Sequence, residues 1–426
     1  LIVENDSHNL IIKSIEMSNT SSPDFSDLSR HITKTIVKTQ KKNHGIYFTP
    51  PDRIRKSVQF LAPYLDDIHE VLEPACGTCE YITHLQEVKP DVNITGLEIH
   101  PTIFEAIQHF QNEKTNLLQA DFLTHQFPHK FDLIIGNPPY LVMKKDRVLS
   151  QYYDFFEGRP NLFILFVIRS LELLNPGGII SFVLPKNFLN CLYYDKTRKH
   201  LVKNYLILDI VDCSTDKYLD TQQDTIILVI RNQNPGNQNL VFSFPISDYT
   251  ILGTQENIAS LKSLYEGSST LHNLGFQVNV GNVVWNQCKK ELTDDTSQTL
   301  LVYSSDINKQ NKLEIKEYKN EAKKNYIKRK GSTLPLLVIN RGYGVGSYNF
   351  NYCILNENSD LPYLVENHLI CIKNTCPLPK KELIKKYKKI IASFENEKCQ
   401  EFIKLYFGNN AMNTTELCKI LPIYDI

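Results

Sequence analysis

The sequence predicts an α/β chain: a doubly wound, mostly parallel sheet of seven strands followed by a mixed α+β region. Three observations carry this. Between Gly45 and about Phe244, short apolar runs alternate with stretches of helical periodicity, the signature of βαβ units. After about Pro245 the alternation stops and gives way to short strand-like pieces separated by Gly-, Asn- and Lys-rich loops. The chain has 426 residues with 42% hydrophobic composition, enough for two cores, since a single core stops growing well before that length. The expected division is residues 1–44 as an N-terminal arm, 45–245 as the first domain and 246–426 as the second.

The strands expected in order are EVLEPA, NITGLEI, NLLQADF, FDLIIGN, GGIISFVLP, LILDIVD and TIILVIRN. Between them IRKSVQFLAPYL, TIFEAIQHFQN and LFILFVIRSLELL have helical spacing, and the last meets a stop signal at Asn175-Pro176-Gly177-Gly178. The arm is polar apart from the amphipathic LSRHITKTIVKTQKK, whose spacing suits a helix laid against the main body, in a docking or mobile arm. In the second domain helices are expected again only near the end, at PKKELIKKYKKIIASF.

Lys+Arg 47 balances Asp+Glu 47, so any contact with a polyanion must come from local clusters. Ten scattered cysteines without a secretory segment point to reduced thiols, and no apolar run reaches the roughly 20 residues a membrane span needs. The expectation is a soluble monomer inside the cell, in the cytoplasm or associated with the nucleoid or nucleus.

The strongest local signal is Asn137-Pro138-Pro139-Tyr140, directly after the apolar strand FDLIIG. The carboxyl end of a strand is where open α/β sheets bind ligands. Two prolines stiffen the loop and remove two backbone donors. What remains is an amide side chain, the Pro138 carbonyl and an aromatic face, which suit a planar ring bearing an amino group: two acceptors for its N–H bonds and a ring to stack on. Such acceptors concentrate the nitrogen lone pair and aim it at an electrophilic methyl group.

This tetrad resembles the catalytic signature of the gamma-type N6-adenine DNA methyltransferases of restriction-modification systems. The rest of the first domain is similar to that family in order: Gly45-Ile46-Tyr47-Phe48-Thr49-Pro50 ahead of the sheet, Glu73-Pro74-Ala75-Cys76-Gly77-Thr78 after the first strand, Glu98-Ile99 ending the second and Asp121-Phe122 ending the third. The resemblance implies a Rossmann-like methyltransferase sheet with S-adenosyl-L-methionine as cofactor. It implies that Tyr47, Thr49, Glu73, Ala75, Cys76, Gly77, Glu98, Ile99, Asp121, Phe122 and Asn137 bind that cofactor: Glu73 meets the ammonium, Glu98 the ribose hydroxyls and Asp121 the adenine amino group, with Phe122 or an apolar neighbour on the ring. It implies that Asn137, Pro138, Pro139 and Tyr140 are catalytic, and that Tyr218 stacks on a flipped-out adenine opposite Tyr140. The chain departs from the family at Cys79, where a second glycine is usual; a loop needing positive φ there would be strained by a side chain unless the helix began earlier. A redox or zinc role for Cys76-x-x-Cys79 lacks a second pair at suitable spacing.

The second domain is expected to be a target-recognition domain for double-stranded DNA. Lys328, Arg329 and Lys330, with Lys323 and Lys324 around Tyr326, are phosphate-binding candidates, and Arg341 and Tyr343 in Asn340-Arg341-Gly342-Tyr343-Gly344 are candidates for contacts in a groove. Val365-Glu366-Asn367-His368 has a looser likeness to the same regions of the family. The lysines of residues 380–389 are spaced as the solvated face of a helix. Asp306 with Glu314-Ile315-Lys316 has the residue types of a metal-dependent nuclease core, but the pattern is short and common. No metal is expected, and cleavage is left to a separate cognate restriction endonuclease acting on the same site. Two alternatives stay open: RNA adenine or a protein glutamine amide as substrate, or a DNA-binding relative with impaired catalysis.

Overall fold

The computed structural model describes residues 25–37, 39–41, 45–213, 224–340, 351–407 and 412–424. The chain divides into two compact units, up to Ile258 and from Ala259. In chain order the first unit runs α1 (Asp27–Thr35), α2 (Pro51–Leu61), β1 (Glu70–Glu73), α3 (Glu80–Val88), β2 (Asn93–Leu97), α4 (Pro101–Ile107), β3 (Thr115–Leu118), β4 (Phe131–Gly136), α5 (Leu162–Leu173), β5 (Leu174–Pro185), α6 (Asp195–Asn204), β6 (Leu206–Asp212) and β7 (Thr225–Arg231), then the hairpin β8 (Ser243–Ile246) and β9 (Tyr249–Leu252), with 3-10 turns between.

All seven expected strands form one sheet in the order β3-β2-β1-β4-β5-β7-β6. The pairs β2/β3, β1/β2, β1/β4 and β4/β5 are parallel, and β7 is antiparallel to both β5 and β6. Side chains alternate across a strand, so a sheet covered on both faces reads as continuous apolar runs. Here Leu72, Ile134, Phe182 and Leu228 enter one core with Phe163, Val167 and Leu201. Val71, Leu133, Ile135, Val183 and Ile227 enter the other with Val58, Ile82, Leu85 and Ile103. Helix α5 is apolar on all sides because nine of its twelve residues are buried. The order of the strands reverses between β1 and β4, which makes their carboxyl ends the natural ligand crevice.

Two local expectations are corrected. The stop signal at Asn175 does not open a free turn: α5 ends at Leu173 and the chain enters β5 directly. The extra residues are absorbed by a register shift against β4 between Phe131 and Leu133. A helix, α7 (Gln255–Tyr265), precedes the second unit's strands, although helices were expected there only near the end. The amphipathic N-terminal stretch forms α1, capped by Ser26, which accepts from the Ser29 N–H, and Ile32 and Ile36 are buried in the core with Ile54 and Val58.

The second unit is mixed α+β. Strands β10 (Phe276–Val280), β11 (Leu292–Thr293), β12 (Thr299–Val302), β13 (Tyr326–Ile327), β14 (Leu336–Asn340), β15 (Tyr352–Leu355), β16 (Tyr363–Val365) and β17 (Leu369–Asn374) form two four-stranded sheets, β10-β17-β14-β15 and β11-β13-β12-β16. Helices α8 (Lys380–Glu395), α9 (Glu397–Phe407) and α10 (Thr414–Lys419) follow. Tyr387, Ile390 and Phe394 of α8 are buried while Lys381, Lys385, Lys388 and Lys389 are exposed, as their spacing predicts. No described helix is long and apolar enough to cross a membrane, and none of the ten cysteines forms a disulfide.

Candidate active site

The carboxyl ends of β1 and β4 each deliver a buried polar group that lacks a partner. Glu73 ends β1 and is 3% exposed; its Oε2 has no hydrogen-bond partner among the described residues. Burial pushes its carboxyl well above the ordinary carboxylate range, reinforced by Cys76, Glu80 and Glu98, against one N–H from Ile82. Asn137 follows β4. Its Nδ2 donates to the Tyr47 carbonyl at 3.3 Å, which fixes the amide, and its buried Oδ1 has no partner among the described residues. A buried acceptor left unmade costs about 1–3 kcal/mol, so such atoms mark places where a ligand completes the bonding.

The tetrad's loop is held from three sides. The Tyr140 hydroxyl donates to the Val183 carbonyl of β5 at 2.9 Å, and its ring meets Phe163 edge-on at 5.9 Å. The Leu141 N–H donates to Asn161 Oδ1 at 3.0 Å, and the Leu162 N–H to the Leu141 carbonyl at 2.8 Å. The third side is Gly45, with φ +66°, where a Cβ would stand 3.1 Å from the Tyr140 nitrogen and 3.2 Å from Pro139 Cβ. Only glycine lets the segment carrying Tyr47 and Thr49 close on the tetrad this tightly.

The loop after β1 is bonded to the end of β2. Glu98, 8% exposed, accepts the Gly77 N–H on Oε2 at 3.1 Å and the His100 N–H on Oε1 at 2.7 Å. Burial raises its carboxyl against the pull of those N–H groups. Beside it Ile99 is 59% exposed, an apolar surface at the sheet's edge. Ala75 is half-buried against the core, and Cys76 is buried, its N–H donating to the Leu97 carbonyl at 2.8 Å. The Cys79 thiol and burial together push the Cys76 thiol up. Cys79 adopts φ 66°, ψ 22°, and α3 begins only after it, at Glu80. The left-handed conformation that glycine would adopt freely is therefore kept with a side chain, at a cost of roughly 1–2 kcal/mol.

Asp121 is exposed and accepts the Leu123 N–H at 3.0 Å, whereas the Phe122 ring lies in the core, 4.8 Å from Phe166. Tyr218 lies outside the described residues, as do Arg341 and Tyr343. Of the basic cluster in the second unit, Arg329 forms a two-pronged ion pair with Glu291 (2.6 and 2.5 Å) and Lys324 pairs with Asp294 at 2.6 Å. Lys323 sits over the rings of Tyr318 at 3.6 Å and Tyr303 at 4.1 Å, while Lys328 and Lys330 are exposed. Asp306 is a structural acid: it is fully buried and accepts from the Tyr303 and Lys316 N–H groups and the Tyr318 hydroxyl.

Two contributors to the site carry no local signal in the sequence. Ser29 of α1 bonds Thr78 in the loop after β1 at 2.6 Å, across 49 residues, and Asn161 holds the tetrad's exit. Each contact exists only once remote segments have packed.

A sheet of this order, with a glycine-bearing loop after β1, an acid ending β2 and an Asn-Pro-Pro-Tyr loop after β4, defines an S-adenosyl-L-methionine-dependent methyltransferase domain. Residues 27–218 match the family described as Eco57I restriction-modification methylase, and the chain is a relative of restriction-modification methyltransferases. It is 26% identical over 408 residues to the type II methyltransferase M.CvrRI of Paramecium bursaria Chlorella virus XZ-6E, covering 94% of this chain and 99% of that protein. It is 26% identical to the modification methylase CviBIII of Paramecium bursaria Chlorella virus NC1A, covering 82% and 88%. Among solved structures, the cryo-electron-microscopy DrdV–DNA complex shares the fold over 93% of this chain and 57% of that one, with TM-score 0.54 and 12% identity.

Proposed function

We propose that the chain is a site-specific DNA methyltransferase that transfers a methyl group from S-adenosyl-L-methionine to N6 of an adenine flipped out of the duplex. The observation that carries this reading is Asn137: its amide is pinned by Tyr47 and its Oδ1 is buried without a partner among the described residues, an unused acceptor at the end of β4. The kinship with type II methyltransferases over nearly the whole chain supports duplex DNA as the substrate.

The residues present fit the cofactor. Glu73 Oε2 is a buried carboxyl oxygen suited to an ammonium group, the Glu98 carboxyl suits ribose hydroxyls, and Ile99 and Asp121 offer an apolar face and an acceptor to an adenine ring. Tyr47, Thr49, Ala75, Cys76 and Gly77 line the approach. When bound, S-adenosyl-L-methionine supplies an electrophilic methyl group on a sulfonium centre. Asn137 Oδ1 and the Pro138 carbonyl accept the two N–H bonds of the adenine amino group, which localises its lone pair. Pro139 keeps the loop rigid. Tyr140, tethered through its hydroxyl to Val183, keeps its ring against the base, and Tyr218 is proposed for the opposite face. The nitrogen would form the new N–C bond as the methyl–sulfur bond of the sulfonium breaks and the neutral thioether leaves, and the extra proton on the nitrogen passes to water. Catalysis is positioning and hydrogen-bond polarisation. The second unit holds the duplex, with Lys328 and Lys330 on phosphates and Arg341 and Tyr343 in a groove, and a separate endonuclease acts on the same site.

The test is single-turnover methyl transfer to duplex DNA by the wild type and by Asn137→Ala, with structured RNA and a glutamine-bearing protein as comparison substrates. Transfer to duplex DNA that falls by at least about 100-fold in the variant is expected. Near-normal transfer by the variant, or preference for either comparison substrate, contradicts the proposal.

A further inference from the structure

We infer that His368, held by the buried carboxylate of Glu366, is a residue through which the second unit reads a base edge; the inference rests on the reading of the chain as a DNA methyltransferase. Strand pairing sorts the polar residues of this unit to opposite ends of one sheet. Strands β12 and β16 are parallel, with Val302 opposite Val365, so Tyr303 and Glu366 leave the sheet at the same end. Because β13 is antiparallel to β12, Lys323, Lys324 and Asn325 enter at that end too, with the Leu301 N–H donating to the Asn325 carbonyl at 2.8 Å. Asn340, the last residue of β14, pairs with Leu369, the residue after His368. Lys328, Arg329 and Lys330 lie at the other end, where Thr299 begins β12 and the Lys328 N–H donates to the Glu291 carbonyl at 2.9 Å.

At the first end His368 is built as a presented group. Its side chain is 62% exposed, whereas that of Glu366 is 2% exposed. One oxygen of Glu366 takes the His368 backbone N–H at 3.0 Å and the other engages the ring at Nδ1. With Nδ1 held, Nε2 is the ring nitrogen left for a partner, an acceptor in the neutral ring and a donor in the charged one. The turn itself is rigid. The Glu366 N–H donates to the Val302 carbonyl at 3.0 Å and the Asn367 N–H to the Val283 carbonyl at 2.9 Å. Gly281 packs so closely beneath that a Cβ there would lie 2.2 Å from the Glu366 carbonyl oxygen. Asn367 Oδ1 is buried without a partner among the described residues, a second unused acceptor in the same turn. Alongside, Lys323 is fixed over Tyr318 and Tyr303 with Trp285 at 6.0 Å, which keeps a cation at this end of the sheet. Burying a carboxylate is costly, and here it orients one exposed imidazole beside a cation, an arrangement suited to a base edge flanked by phosphate. Glu366 is the positioning residue.

The experiment maps the methylated sequence by modification-sensitive sequencing for the wild type, His368→Ala, Glu366→Gln, and Lys328→Ala with Lys330→Ala. The rate on the wild-type site and the cofactor affinity are measured in parallel. For His368→Ala we expect kcat/KM on that site to fall on the order of 10- to 100-fold and the motif to lose discrimination at one position, with cofactor affinity unchanged. Glu366→Gln should shift the same position more weakly, and adding it to His368→Ala should cost nothing further. The lysine pair should weaken binding evenly across sequences and reduce its salt dependence, without altering the motif. Retention by His368→Ala of the motif and of kcat/KM within about twofold overturns the inference while leaving DNA methylation intact; should Glu366→Gln fail to fold, His368→Ala on its exposed surface still decides. A wild type that methylates no DNA overturns both the underlying reading and the inference.

Discussion

The carboxyl edge of the first unit's sheet and the charged ends of the second unit's sheet handle ionisable groups differently. At the first, Glu73 Oε2 and Asn137 Oδ1 are buried at the ends of neighbouring strands with no partner among the described residues. At the second, the charges are largely matched within the fold: Arg329 with Glu291, Lys324 with Asp294, Lys323 with two tyrosine rings, Asp306 with three donors. Unmet bonds in a close-packed core mark a pocket that binds small chemistry in fixed geometry, whereas self-matched surface charges stabilise a scaffold and leave binding to the few groups held outward.

The largest expected break in this contrast is Asn137→Ala, which removes the unused acceptor: methyl transfer falls by at least about 100-fold while calorimetric cofactor affinity changes only a few-fold. Next is Glu73→Gln. Loss of the buried anion should weaken S-adenosyl-L-methionine binding by roughly 10- to 100-fold, as for a charged hydrogen bond. The same variant has a pH signature in the cofactor-free protein. A carboxyl raised by folding contributes stability below its ordinary range and loses it as pH rises through the folded value. The wild-type melting temperature should therefore decline, as pH rises above the ordinary carboxylate range, more than that of Glu73→Gln, and saturating cofactor should narrow the difference. Parallel pH profiles would remove Glu73 from this role.

Gly45→Ala is a smaller perturbation. A methyl group 3.1 Å from the Tyr140 nitrogen at φ +66° should cost about 1–2 kcal/mol in urea unfolding and slow methyl transfer together. If stability falls and transfer does not, the Gly45 segment is scaffold only. Cys79→Gly is the smallest. Relief of the left-handed strain should outweigh the lost packing of a buried thiol, for a net gain below about 1 kcal/mol, whereas Cys79→Ala keeps the strain and loses the packing, so it should be less stable than wild type.

The same contrast explains what was legible in the sequence. The seven strands were visible because residues buried on both faces leave unbroken apolar runs, as in FDLIIG and TIILVI. The tetrad and the loop after β1 were visible because each is contiguous and sits beside such a run. Support of the site was not: Ser29 to Thr78 and Asn161 to Leu141 are long-range contacts between ordinary polar residues. Cys79 was seen as a departure, and the structure adds that α3 starts too late to relieve it. In the second unit the lysine-rich stretch read as one basic cluster because its members are adjacent in sequence. The short strand β13 carries them to opposite ends of a sheet, and matching acids come from residues 291 and 294. A strand of two residues leaves no periodicity to read.

The most direct test of the central claim follows the methyl group to its destination. Purified protein is incubated with duplex DNA and S-adenosyl-L-methionine carrying an isotopically labelled methyl group, and the DNA is digested to nucleosides and resolved by mass spectrometry. The label should appear in N6-methyladenine, at one sequence context, and vanish with Asn137→Ala. Label in a methylated cytosine, or none in DNA under conditions where the cofactor binds, would contradict the account.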